Sequence, residues 1–129
     1  MNKFKVIIAG SRDYTDYAHL AESCLFFLKD KAWEDIEIVS GCARGADRLG
    51  EKFADEFGFP VALFPADWEQ HGKTAGFRRN EQMAQYADAL IAFPLGESRG
   101  TRDMIRRARA HGLAVRYGTN RKTTFGGEA

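Results

Sequence analysis

Cysteine, histidine and proline are all scarce in this chain. Its two cysteines, Cys24 and Cys42, stand far apart and outside any CxxC arrangement. That excludes a disulfide-stapled scaffold and fits reduced thiols and a cytoplasmic location. Cys24 falls on an apolar helical face and reads as core, whereas Cys42 lies in a turn, where packing and reactivity are both open to it. No histidine or cysteine pair has metal-ligand spacing, so no metal site is expected. No apolar run is long enough to span a membrane, and Met1-Asn2-Lys3-Phe4 starts no signal peptide, so no membrane partner is expected. Neither a Walker P-loop nor a GxGxxG fingerprint is present, there is no repeat or linker, and no resident cofactor is expected. Net charge is almost absent, +1 from 19 basic and 18 acidic residues.

The charge that exists is unevenly spread. Residues 1–98 hold 11 basic and 16 acidic side chains, while residues 99–122 hold eight basic ones and a single acid, Asp103. A polyanionic partner and a merely solvated helix face both suit that stripe, and weak nucleic-acid binding is the expectation.

With 129 residues and 44% hydrophobic content the chain can bury a real core as one domain. Short apolar runs at 6–9, 36–39, 61–64, 89–93 and 113–117 read as strands. Stripes of helical period lie between them: Ala21, Cys24, Leu25 and Leu28; Ala46, Leu49, Phe53, Ala54 and Phe57; Met83, Ala84 and Ala87 with Gly76 or Phe77; and Thr101, Met104, Ile105 and Ala108. Residues 65–74 read as a loop carrying Trp68 and His71, each with a ligand role or a plain structural role open to it. Five strands alternating with four helices give an α/β three-layer domain with a parallel sheet. The first and fourth strands are the most apolar, and placing them side by side gives the order 3-2-1-4-5. The domain is expected over 1–117, with 118–129 a polar, glycine-rich flexible tail.

At the carboxyl ends of these strands three turns should meet, where open α/β sheets bind ligands. The first is Gly10-Ser11-Arg12. The second, Ser40-Gly41-Cys42-Ala43-Arg44-Gly45 and Asp47, joins a buried strand to a helix. Its glycines and the helix-start N–H groups suit a phosphate, with Arg44 beside them. The third contains Gly96, Arg99, Gly100 and Thr101. Asp47 is open to accepting a ribose hydroxyl, pairing with Arg44, or meeting the helix dipole. Arg79 and Asn80 lie on or beside a buried helix stripe and need polar partners, another loop or a ligand.

Taken in order, Gly10-Ser11-Arg12, residues 40–47, Arg79-Asn80 and residues 94–101 resemble the SLOG superfamily, named for the Smf/DprA and LOG proteins. Ala66-Asp67-Trp68, His71-Gly72-Lys73 and residues 100–105 resemble its YspA, or YpsA-related, branch, found in bacteria and phages. The resemblance covers about residues 4–116. It implies a Rossmann-like fold, a nucleotide or nucleotide-derived ligand bound for sensing or sequestration, and a possible homodimer. Two other branches imply rival activities. LOG enzymes release a base from nucleoside 5′-monophosphates; Arg79 matches their arginine, but Met104 stands where their glutamate belongs, which disfavours that hydrolysis. Catalytic candidates are then Arg79, Asp103 and Asp47, with Asp103 flanked by Arg106 and Arg107 as for a surface ion pair. The DprA branch, which binds single-stranded DNA, shares the residues 40–47 pattern and Arg79-Asn80.

Overall fold

Strand β1 (Phe4–Gly10) sends Val6 and Ile8 to one side and Ile7 and Ala9 to the other, and all four are buried, so both faces of its sheet must be covered. The computed structural model, which describes residues 3–127, shows this arrangement. Strands β2 (Ile36–Ser40), β3 (Val61–Leu63), β4 (Ala89–Phe93) and β5 (Ala114–Tyr117) complete a five-stranded sheet in the order β3-β2-β1-β4-β5. Every pairing is parallel, with Ile7 opposite Val39, Gly10 opposite Phe93 and Ala92 opposite Tyr117. Helices α1 (Tyr17–Leu28) and α2 (Ala46–Phe57) cover the Val6/Ile8 face. A one-turn helix, α3 (Trp68–His71), leads through a 3-10 turn into α4 (Ala75–Tyr86), which with α5 (Arg99–Ala110) covers the Ile7/Ala9 face. The fold is a Rossmann-like α/β layer structure with the expected strand order.

Three sequence expectations need correction. Helix α1 buries Leu20, Ser23, Cys24, Phe27 and Leu28, leaving Ala21 and Leu25 half-buried. The Asp16 carboxylate accepts from His19 N and starts the helix at Tyr17, and in that phase the bulky Leu20 and Phe27 take the interior. Residues 65–74 are not a plain loop, because Asp67 caps α3 by accepting from Gln70 N at 3.1 Å.

The third concerns the tail. Its last two residues, 128 and 129, lie outside the described residues, but the part before them is docked. Phe125 packs on Phe4 and Phe27, with ring centroids 5.3 and 6.0 Å away, and its N–H donates to the Phe27 carbonyl at 2.9 Å. The Thr124 hydroxyl donates to Asp30 at 2.5 Å, and the Arg116 guanidinium donates to the Thr123 and Thr124 carbonyls. Phe125→Ala is therefore predicted to destabilise the fold by about 2 kcal/mol. Urea unfolding checks this, and an unchanged midpoint would contradict the docking.

Candidate functional site

The site grows from the way the first two turns lock together. Ser11 N donates to the Phe93 carbonyl at 3.1 Å, and the Ser11 carbonyl accepts from both Tyr14 N and Ala46 N at 3.2 Å. The Ser11 hydroxyl oxygen accepts from Asp13 N, so Ser11 is buried while Arg12 projects into solvent. Gly45 makes the close approach feasible. Its backbone sits at φ 81°, ψ −131°, and a Cβ there would overlap the Ser11 carbonyl and come within 2.6 Å of the Arg12 backbone.

This locking occupies part of the expected phosphate cradle at 41–45. Ala46 N at the start of α2 is already paired with Ser11. Cys42 N donates to the Ser40 hydroxyl at 3.1 Å, and Ala43 N donates to Asp47 Oδ2 at 3.2 Å. Ser40, fully buried, donates in turn to Glu51 at 2.6 Å. Cys42 is held at φ 67°, the one positive-φ non-glycine among the described residues. The glycines here bring protein against protein. At Gly41, a Cβ would lie 2.8 Å from both Arg79 Nη1 and Asp47 Oδ2.

Arg79 and Asn80 find their partners within the protein. Buried Arg79 donates through Nη1 to the Gly41 carbonyl and through Nε to Asn80 Oδ1 at 3.0 Å. Asn80 Nδ2 donates to Asp103 Oδ2 at 3.0 Å and to the Gly100 carbonyl at 3.3 Å. One chain of bonds thus ties the second turn to the start of α5. Asp103 is buried, not a surface carboxylate as expected. Burial works to raise its pKa, but hydrogen bonds from Arg107, Asn80 and Arg106 together outweigh that and hold it below the usual value. It braces Asn80 and does not line the cleft. Asp47 does not pair with Arg44, which instead reaches Asp13 at 3.7 Å with both side chains largely exposed.

The start of α5 is different from that of α2. Ser98 occupies the cap position, but its hydroxyl bonds the Thr101 hydroxyl at 2.6 Å and caps no backbone N–H. No acid lies in the first turn. The positive end of the helix is therefore not offset from within its first turn, and Glu97, just ahead of the cap, lines the cleft while pairing with Arg102 at 3.3 Å.

Together these groups line a cleft of about 320 Å³ at the carboxyl edge of β1 and β4. Of the residues expected at the site, Gly10, Ser11, Arg12, Ala43, Arg44, Asp47, Arg79, Asn80, Arg99, Gly100 and Thr101 line it. Gly41 and Cys42 line an adjoining cavity, while Ser40, Gly45 and Gly96 line neither, the first two acting through the packing just described. Among the described residues neither Arg12 nor Arg99 has a salt-bridge partner. Met104 stays buried yet reaches the cleft. Sequence reasoning missed Ser98, and it missed Glu51, although the i, i+4 spacing from Asp47 puts both on one face of α2.

Asp47 is the one acid of the cleft that is buried among the described residues, and desolvation pushes its carboxyl up to about 6 despite the Ala43 N–H and the nearby Arg79. Burial likewise lowers Arg79. The folded pKa of Asp47 lies above the unfolded one, so its ionisation destabilises the fold. The stability present below the ordinary pKa of 3.8 is lost as pH rises to about 6. Asp47→Asn is predicted to remove this loss, gaining about 2–3 kcal/mol on the parent between pH 4 and pH 7. Urea melts across that range check it, and a variant-minus-parent difference independent of pH would contradict it.

Comparison with known proteins agrees with this architecture. Residues 4–71 match the YspA, cpYpsA-related SLOG family. Gene 61 protein of Mycobacterium phage D29 is 38% identical over 117 residues, which span 86% of this chain and 93% of that protein. Among solved structures, DNA processing protein A (DprA) from Streptococcus pneumoniae superposes with a TM-score of 0.70 at 18% identity over 90% of this chain. The chain spans only 50% of that protein. DNA processing protein A from Helicobacter pylori, whose structure concerns its single-stranded DNA binding mode, gives 0.61 at 19% identity, with 90% of this chain and 65% of that one covered. TM1055 gives 0.62 at 24% identity, with 89% and 72% covered. At these identities the structural likeness is one of fold.

Proposed function

This chain belongs to the YspA, cpYpsA-related SLOG family, and on that footing we propose that it binds a nucleotide or nucleotide-derived signal through a 5′-phosphate. The observation that carries the reading is the pair of unpartnered guanidinium groups, Arg12 and Arg99, beside a helix start that has neither an acid nor a capping side chain. An anion there gains charge-assisted bonds and the helix field together. Ser11, Thr101 and Arg44 complete the polar wall. With the N–H groups of Cys42, Ala43 and Ala46 occupied, this shifts the phosphate from residues 41–45 toward residues 98–101. Free cysteines and such a ligand suit the cytoplasm.

Binding is favoured over LOG-type hydrolysis because an apolar Met104 faces the cleft and Asp103 is engaged elsewhere. Asp47 is the remaining candidate for acid chemistry, since a carboxyl near 6 in a cleft suits proton transfer. We predict no free base when the protein is incubated with adenosine 5′-monophosphate. Base release proportional to protein and absent in Asp47→Asn would overturn the binding-only reading.

The test of the phosphate is a thermal-shift panel of nucleoside mono- and diphosphates, since a ligand bound only by the folded state raises the melting temperature. Arg12→Ala should weaken the best ligand about tenfold or more, the worth of one charge-assisted bond. A variant that binds like the parent would count against the assignment. Single-stranded nucleic acid is the second reading, favoured by Arg48 and Lys73 lining cavities that adjoin the cleft. It requires tight binding of short strands that falls steeply with salt.

A further inference from the structure

Another cavity opens off the cleft beside α3 and α4, and the phosphate reading uses only the wall that the two share. Its volume is about 340 Å³. It shares Arg12, Arg79, Asn80, Arg99 and Gly100 with the cleft, so the two spaces meet along their most cationic wall. Beyond that wall the lining is Trp68 of α3, Gly76 and Phe77 of α4, and Lys73. Trp68 is 50% exposed, although large aromatic side chains usually gain by burial. Its indole leans on α4 where Gly76 has no side chain, and a Cβ at Gly76 would be 3.5 Å from the Trp68 ring. Trp68 is also held from its own end, because Asp67 caps α3 directly before it. About half of Trp68 is therefore open to solvent beside a polar, cationic cleft.

We infer that Trp68 is the stacking platform for the ligand's nucleobase, with Phe77 as the second wall of that subsite. This rests on the phosphate reading above and adds the direction in which the ligand lies. The phosphate sits at the shared wall by Arg12 and Arg99, and the planar heteroaromatic ring points toward α3 and α4 instead of deeper toward Met83 and Met104. Stacking tolerates any base, since each has a π-face. The subsite selects for the presence of a ring and only weakly for its identity.

The chain has two tryptophans, and the other one serves elsewhere: Trp33 packs its ring on Phe57 and Phe59, ahead of β2. In a Trp33→Phe background, Trp68 fluorescence reports on the subsite alone. Adenosine, guanosine, cytidine and uridine 5′-monophosphates should all quench it. Ribose 5-phosphate should compete with them without quenching. Trp68→Ala should weaken the monophosphates by about tenfold, the size of one base stacked on an aromatic ring, and leave ribose 5-phosphate unchanged. Trp68→Phe should restore part of the loss. Monophosphates that bind as tightly to Trp68→Ala as to the parent, or that bind without quenching, overturn the stacking subsite while leaving the phosphate reading standing. If neither monophosphates nor ribose 5-phosphate bind, the phosphate reading fails and the subsite falls with it. A short single strand that quenches Trp68 far below the monophosphate concentrations would also overturn the proposal, in favour of a strand-binding groove.

Discussion

Gly45→Ala is expected to lower the unfolding free energy by about 4 kcal/mol. Two effects add. At φ 81°, ψ −131° the backbone lies in a region that side-chain-bearing residues scarcely enter. The new methyl would also meet the Ser11 carbonyl and the Arg12 backbone, neither of which can swing away like a flexible side chain. Relief would require separating the first turn from α2, breaking the bond from Ala46 N to Ser11. Gly96→Ala is the control. Gly96 also has a positive φ, 53°, but nothing lies within 4 Å of its added Cβ, so only the left-handed strain of about 1 kcal/mol remains. Equilibrium unfolding in urea compares the pair. Equal losses would mean that the two turns do not depend on the close approach at Gly45.

Arg79→Ala is the second large effect, with a predicted cost of about 3 kcal/mol and loss of nucleotide binding. The side chain is 9% exposed and bridges the Gly41 carbonyl to Asn80. Removing it leaves buried acceptors without their donor and leaves Asp47 without the nearby positive charge that favours its ionised form. Because Arg79 lines the cleft and both adjoining cavities, their common wall would be lost as well. Arg79→Lys keeps the charge but not the two-pronged geometry, so it should recover part of the stability and little of the ligand affinity. An alanine variant within about 0.5 kcal/mol of the parent would place Arg79 among ordinary surface positions.

The strand order was legible because β1 and β4 are apolar on both faces, which only central strands can be. The convergence of the three turns followed from that order, and Arg12, Arg44 and Thr101 do line one cleft. What the sequence hid was who bonds to whom. The motif at 40–47 reads as an anion cradle from its glycines and helix start, yet Ser11, from a distant part of the chain, takes the first N–H of that start. Local pattern carries no sign of such a tertiary partner. The same holds for Phe125, one aromatic residue in a polar stretch, whose docking depends on a groove made by Phe4 and Phe27. Asp103 had basic neighbours three and four residues on, which is the pattern of a surface pair. Its burial comes from α4 packing over it through Asn80.

The central claim is that the ligand is held by its phosphate at Arg12, Arg99 and the start of α5. Titration calorimetry of the parent and of an Arg12→Ala, Arg99→Ala double variant, each with adenosine 5′-monophosphate and with adenosine, addresses it directly. Both substituted side chains are solvent-exposed, so the variant should keep the fold. The predicted result is that the parent binds the monophosphate at least about a hundredfold more tightly than adenosine, and that the double variant loses about a hundredfold of that preference, two charge-assisted bonds' worth. Adenosine binding the parent as tightly as the monophosphate, or a double variant that retains the full preference, would contradict it.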